Sequence, residues 1–194
     1  MITVYLVRHA DYVSQGVLTG RLPFPLSEKG VAQAERLRDY FEDKNIEKIY
    51  SSAVERCKQT AEIIAGEVVP VEYDKRLLES FCATQGLKSD DWREFWGYRD
   101  ELGGEDYDDV YKRVGDFWDE MSAKFEDGKN YIVCSHGDPL FEMLLYIKGE
   151  PSTKTPELDF MPEMPGYNSM GSVRIITGEK GKWEVGGLVE QEEI

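Results

Sequence analysis

Only two histidines occur in this 194-residue chain, and both stand in the same local setting. His9 closes the stretch Val4-Tyr5-Leu6-Val7-Arg8-His9-Ala10, where an apolar, β-branched run meets an Arg-His pair. His136 follows Tyr131-Ile132-Val133-Cys134-Ser135 and precedes Gly137-Asp138-Pro139. Apolar runs of this length read as strands buried in a parallel sheet. Open α/β sheets carry their chemistry just past the carboxyl ends of such strands. A single histidine after a strand is more often a hydrogen-bonded structural residue than a catalyst. Two of two at matching strand exits, one of them beside an arginine, favour a functional reading. An arginine at the end of a buried strand needs an anion, and its planar fork suits a phosphate. A neutral imidazole is a usable nucleophile near pH 7. Arg56 adds to this picture: it is predicted to fall in the first turns of a helix, where the backbone already carries positive partial charge. A cation there implies an anion held in common by both.

The elements that must position these groups alternate between strand and helix. A loop from Asp11 to Pro25 is broken by Gly16, Gly20, Pro23 and Pro25. Ser27 is predicted to cap a helix through about Asp43, with Val31, Ala34, Leu37 and Phe41 facing inward. Lys48-Ile49-Tyr50 reads as a short strand. Ser51-Ser52 reads as the cap of a second helix, with Cys57, Thr60, Ala61 and Ile64 as its inner stripe. Val68 to Tyr73 is a further strand candidate, and Arg76-Leu77-Leu78-Glu79-Ser80 leaves it. The clearest helix runs from Asp106 to Phe125, where Tyr107, Val110, Tyr111, Val114, Phe117, Trp118 and Met121 follow helical spacing. Asp138 is read as the cap of the next helix, with Pro139 at its first position and Gly149 ending it. Pro151 to Gly171 reads as a loop lying over something. Val173–Thr177 and Lys182–Leu188 are predicted to form a hairpin. The alternation predicts an α/β fold: a three-layer sandwich with a mainly parallel sheet and helices on both faces. One domain spans 1–194, with about 80–109 as a small helical, cap-like insertion beside the site.

Composition narrows the partners. A net charge of -15 opposes nucleic acid and anionic membranes. It also opposes a phosphate, so an anionic ligand requires a local cationic pocket. Cys57, Cys82 and Cys134 show no disulfide or zinc spacing, and Cys57 and Cys134 fall on apolar faces as core thiols. No apolar run is long enough to span a bilayer, and no signal peptide precedes the first strand, so the expected location is the cytoplasm.

Taken together, these residues resemble the histidine phosphatase superfamily, which includes the cofactor-dependent phosphoglycerate mutases. Leu6-Val7-Arg8-His9-Ala10 looks like that family's Arg-His-Gly motif. Ser51-Ser52-Ala53-Val54-Glu55-Arg56-Cys57-Lys58-Gln59-Thr60-Ala61 is similar to its second motif, and Leu77-Leu78-Glu79 to the position of its acid. Gly103-Gly104-Glu105-Asp106-Tyr107 and Ser135-His136-Gly137 resemble two later landmarks. The resemblance implies a phosphomonoester hydrolase in which His9 attacks a phosphoryl group and becomes phosphohistidine. Arg8, Arg56 and His136 would hold the phosphoryl oxygens, and Glu79 would act as acid and then base. Thr19 and Gly20 would be phosphate contacts of second rank, and Arg21 serves either substrate charge or the surface. No metal and no cofactor are expected, and the partner is a small phosphorylated substrate. The oligomeric state is not legible.

Departures from the family pattern separate the rival readings. Ala10 replaces the usual glycine. Ser80-Phe81-Cys82 follows Glu79 where mutases carry Arg-His-Tyr, and Asp138 stands where they often carry Asn. Both differences favour a phosphatase over the first rival, a phosphoglycerate mutase-type phosphotransferase. The second rival is a non-catalytic phosphate-binding domain, against which the intact set of Arg8, His9, Arg56, Glu79 and His136 argues. Trp92, Phe95 and Trp96 either wall the pocket or pack the insertion onto the core.

Overall fold

The first strand is apolar on both faces because it has a core on each side. In the computed structural model, which describes residues 1–88, 103–153, 166–179 and 181–194, Ile2, Val4 and Leu6 enter one core while Tyr5 and Val7 enter another. The described strands are β1 (Ile2–Arg8), β2 (Ile46–Ser51), β3 (Val71–Tyr73), β4 (Asn130–Ser135), β5 (Val173–Glu179) and β6 (Lys182–Val189). They form one sheet in the order β3-β2-β4-β1-β5-β6. The pairs β1–β4, β2–β4 and β2–β3 are parallel, and β1–β5 and β5–β6 are antiparallel. The described α-helices are α1 (Glu28–Phe41), α2 (Glu55–Ala65), α3 (Tyr107–Ser122) and α4 (Gly137–Lys148).

The helices divide between the two faces. Leu37 and Phe41 of α1 share a core with Cys57, Ala61 and Ile64 of α2 and with Ile132 and Cys134 of β4. On the opposite face, Val110, Val114, Phe117 and Met121 of α3 and Leu140 and Met143 of α4 pack on Val133 of β4 and Leu6 of β1. The expected three-layer sandwich is therefore observed, and its antiparallel edge is the expected hairpin. The aromatic stripe of α3 is core, and its start is fixed by a capping box: Asp106 accepts from Asp109 N–H at 2.8 Å and Asp109 from Asp106 N–H at 3.2 Å.

Register brings the histidines together. β1 and β4 pair in parallel up to Arg8 opposite Ser135, and His9 N–H donates to Ser135 O at 3.0 Å. The next residue of each strand, His9 and His136, therefore leaves the sheet side by side.

Four local expectations are corrected. In α1 the inward residues are Gly30, Gln33, Ala34, Leu37 and Phe41, while Val31 is exposed. Gly30 lies against the loop, and a Cβ there would fall 1.8 Å from the Asp11 carbonyl oxygen, so this inward position has no room for a side chain. The second helix begins at Glu55 with Val54 as its cap, not Ser51-Ser52, because Ser51 completes β2 and Ser52 N–H extends the ladder to Cys134 O at 3.0 Å. The third strand begins only at Val71, and Val68 is 88% exposed. The cap of α4 is His136, and Asp138 lies inside the first turn. Ser27 does cap α1, accepting from Gly30 N–H at 3.0 Å, and Gly149 ends α4 in the left-handed conformation with φ 70°. Most of the expected insertion, including Trp92, Phe95 and Trp96, lies outside the described residues. Among the described residues, no helix is long and apolar enough to cross a membrane.

Candidate active site

The exits of β1, β2 and β4 open on the same end of the sheet, and a single guanidinium ties them together. Arg56, in the first turn of α2, is 1% exposed. Its Nε–H donates to His9 Nε2 at 3.0 Å, and its Nη2 donates to His136 Nδ1 at 2.9 Å and to the Gly20 carbonyl at 3.0 Å. The same Nη2 lies 3.4 Å from Glu79 Oε2. Its Nη1 is buried with no hydrogen-bond partner among the described residues. An unpaired guanidinium nitrogen in a buried site costs free energy that an anion recovers.

These contacts set the state of both imidazoles. His9 Nδ1 lies 2.8 Å from the Ala10 carbonyl, which can only accept, so Nδ1 carries the hydrogen. Nε2 then presents a lone pair to Arg56. Burial, followed by the charges of Arg56 and Arg8, holds the His9 pKa well below its usual value. His136 is likewise held neutral, first by burial and then by Arg56. Its Nδ1 accepts from Arg56, so Nε2–H faces Ser52 Oγ at 2.9 Å. The two rings meet edge to face with centroids 5.1 Å apart.

Glu79 enters from the stretch after β3. Its Oε1 accepts from Ser80 N–H at 3.0 Å, and Oε2 lies 3.5 Å from His136 Nδ1. Burial and then the charge of Asp138 push its pKa up to about 7, against the opposing effect of Arg56. A carboxyl with that value is poised to give and take a proton near neutrality.

Arg8 takes a second position. Its Nη1 donates to the Asn168 carbonyl at 2.7 Å, its guanidinium lies 5.3 Å from the Tyr167 ring centroid, and its Nε is buried without a partner among the described residues. Of the second-rank residues, Thr19 Oγ accepts from Tyr12 OH and donates to the Val17 carbonyl, both at 3.3 Å. Gly20, at φ 46°, places its carbonyl on Arg56; that oxygen orients the guanidinium. Arg21 is neither free for substrate nor a plain surface residue. It donates from Nε to the Glu79 carbonyl and from Nη2 to Glu105, both at 2.7 Å. Cys57, read as a plain core thiol, also floors the His136 ring, with Sγ 3.4 Å from Nε2. Burial pushes its pKa well up, so it stays a thiol.

The structure also brings in Tyr12 and Tyr167, which the sequence did not single out, and gives Asp138 different partners from those of a cap. The Tyr12 ring stands 5.3 Å from the His9 ring and 5.0 Å from the Arg56 guanidinium. Asp138 is not a helix cap: its Oδ1 accepts from Tyr167 OH at 2.7 Å and its Oδ2 from Ser80 Oγ at 3.4 Å. Gly137 carried a hidden signal for this contact, because a Cβ there would fall 2.0 Å from the Tyr167 hydroxyl.

His9, Glu79 and His136 offer ligand atoms within 4.8 Å of one another, a spacing that could hold a metal ion. Their donor atoms, however, converge on the permanent cation of Arg56. A divalent cation would have to share that space with a guanidinium, whereas an anion would be attracted by it. The donor set fits an anion.

The family model of the histidine phosphatase superfamily (branch 1) matches residues 4–190. The uncharacterized protein Rv0525 of Mycobacterium tuberculosis is 32% identical over 161 residues, covering 76% of this chain and 79% of that protein. The adenosylcobalamin/alpha-ribazole phosphatase of Salmonella typhimurium is 27% identical over 148 residues, covering 69% and 73%. Among solved structures, YhfR of Bacillus stearothermophilus superposes with a TM-score of 0.80 at 26% identity, covering 95% of each chain.

Proposed function

This chain belongs to the histidine phosphatase superfamily, and from that premise we propose that it is a phosphatase that hydrolyses a phosphomonoester through a phosphohistidine on His9. In the first step the Nε2 lone pair attacks phosphorus, the bond to the leaving oxygen breaks, and Glu79 gives that oxygen its proton. In the second, Glu79 takes a proton from a water that attacks the phosphohistidine, and phosphate leaves. Arg8 and Arg56 hold the equatorial oxygens, where phosphoryl transfer needs its charge stabilised. His136 joins them in the tautomer that carries its hydrogen on Nδ1, adopted as Arg56 turns from that nitrogen to the phosphoryl group and Nε2 accepts from the Ser52 hydroxyl. Thr19 and Gly20 shape the rim, Gly20 by orienting Arg56. No cofactor or metal takes part.

One observation carries this reading: the Arg56 guanidinium holds the lone pairs of both imidazoles and approaches the Glu79 carboxylate, with a further nitrogen unpaired. A phosphoryl group entering there meets the nucleophile, the cation and the acid at once. The similarity to an alpha-ribazole phosphatase supports hydrolysis. So do Ser80 and Asp138, which depart from the mutase pattern. The substrate is a small phosphorylated molecule, the chain acts as one domain with about 80–109 as its cap, and three free thiols suit the cytoplasm.

The test is hydrolysis of para-nitrophenyl phosphate by the purified protein. Turnover without added metal, resistance to EDTA and inhibition by vanadate are expected. Absence of turnover, or isomerisation of phosphoglycerate outpacing hydrolysis once primed with bisphosphoglycerate, would contradict the reading.

A further inference from the structure

The two-step scheme gives no task to the carboxyl group that follows the second histidine. Asp138 stands two residues past His136, in the first turn of α4. Its oxygens are shared between two hydroxyls, Tyr167 OH at 2.7 Å on Oδ1 and Ser80 Oγ at 3.4 Å on Oδ2. Ser80, fully buried, faces both carboxyls: its hydroxyl is on Asp138, and its N–H donates to Glu79 Oε1 at 3.0 Å. Tyr167 is held in place by the Arg8 guanidinium over its ring and by Phe141 at 5.9 Å. Gly137 clears the space its hydroxyl occupies.

We propose that Asp138 is a positioning residue for Glu79: a fixed negative charge, coupled to it through Ser80 and anchored by Tyr167, that keeps the leaving-group proton on Glu79 until substrate needs it. The proposal rests on Glu79 being the acid of the reaction above.

The groups facing Glu79 divide by sign. From α2 come Arg56 and the Cys57 thiol; from the exit of β1, Arg8 and the neutral His9; from the start of α4, the neutral His136 and Asp138; and from the segment before β5, Tyr167. The cations favour the ionised form of Glu79, and Asp138 opposes them. Burial raises the Asp138 pKa, and its partners oppose that: the Tyr167 and Ser80 hydroxyls donate to it, Arg8 and Arg113 favour its ionised form, and it lies in the first turn of α4. With these partners Asp138 takes the charge of the pair and Glu79 the proton. Tyr167 remains a hydroxyl donor, its own pKa raised well above the usual value first by burial and then by Asp138. Two carboxyls whose surroundings push their protonation apart take different roles, one charged and one protonated.

The experiment is a pH profile of kcat/KM, which reports the phosphorylation half-reaction, for the wild type and for Asp138→Asn, Tyr167→Phe and Glu79→Gln. Two substrates are needed. β-Glycerophosphate has an alkoxide leaving group that requires the proton, and para-nitrophenyl phosphate has one that does not. With β-glycerophosphate, Asp138→Asn should move the alkaline limb to lower pH by about one unit, a ten-fold loss at pH 8 that vanishes by pH 5.5. Tyr167→Phe, which only loosens the Asp138 charge, should move it the same way by less. With para-nitrophenyl phosphate neither variant should move the limb. An unmoved limb with β-glycerophosphate, or an equal loss at every pH with both substrates, would overturn the proposal. Glu79→Gln separates the two claims. If it retains the wild-type alkaline limb, Glu79 is not the acid and both readings fall. If it abolishes the limb while Asp138→Asn leaves it in place, only the role of Asp138 falls.

Discussion

Two clusters of arginine meet at Glu79 and are wired in opposite ways. In the pocket, Arg56 is surrounded by groups that cannot neutralise it well: two neutral imidazoles, a carbonyl, and a carboxyl pushed up to about 7. At the rim, Arg21 and Arg113 already have their anion. Glu105 takes Arg113 on both oxygens at 3.0 Å and Arg21 at 2.7 Å, and its pKa is held below the usual value by Arg113 and then Arg21, against the effect of burial. Arg113 also donates to the Arg76 carbonyl, and Arg21 to the Glu79 carbonyl. Guanidiniums alone therefore do not mark a phosphate site. The cluster whose charge is left unanswered among the described residues is the one that can bind an anion, and the satisfied cluster serves as its frame.

Breaking the unanswered cluster should cost most. Arg56→Ala removes a charge-stabilising donor, and kcat/KM should fall by about 10²–10³-fold or more. Inorganic phosphate, expected to raise the melting temperature of the wild type, should lose that effect in the variant. Steady-state kinetics and thermal melts read both outcomes. Breaking the satisfied cluster should act mainly on the frame. Glu105→Gln leaves two arginines short of a counter-charge and should lower stability by ~1–3 kcal/mol, with kcat/KM reduced by about ten-fold or less. Denaturant unfolding checks the first figure, and retained stabilisation by phosphate would show that the pocket itself survives.

A smaller effect sharpens the contrast from the carboxylate side. Glu142 of α4 is fully buried, and among the described residues it has no ion pair; its partner is Thr153 N–H. Burial pushes its pKa up to about 7. Its folded value thus lies above the unfolded one, so the native state holds a proton that the unfolded chain releases. Stability from this group is present below about pH 4.5 and is lost as pH rises towards 7. Glu142→Gln should therefore stabilise the protein by ~1–3 kcal/mol at pH 8 and hardly at all at pH 4.5, as read by melts at the two pH values.

Much of this was legible in the sequence, and the reasons are physical. The β1 and β4 runs had to be strands because they are apolar on both faces, and parallel register then placed His9 beside His136. The α3 stripe and the Ser27 cap are local signals that nothing in the tertiary structure opposes. Elsewhere long-range partners overrode local preference. Ser52 continues the sheet and bonds to His136, so Val54 caps α2 without a side-chain bond. Asp138 is drawn away from capping by Tyr167 and Ser80, neither of which is near it in the chain. The tie between Arg21 and Glu105 spans 84 positions and has no local trace. Tyr12 has no local signal either: the glycines and prolines of its loop say only that the chain turns.

The central claim is that the pocket exists to carry a phosphoryl group on one imidazole. Rapid quenching during turnover of a ³²P-labelled phosphomonoester, followed by peptide mapping, tests it directly. The label is expected as an acid-labile, base-stable phosphohistidine on the peptide containing His9, and is expected to be absent from His9→Ala. Label on His136, on a serine or carboxylate, or at full level in His9→Ala would contradict the account.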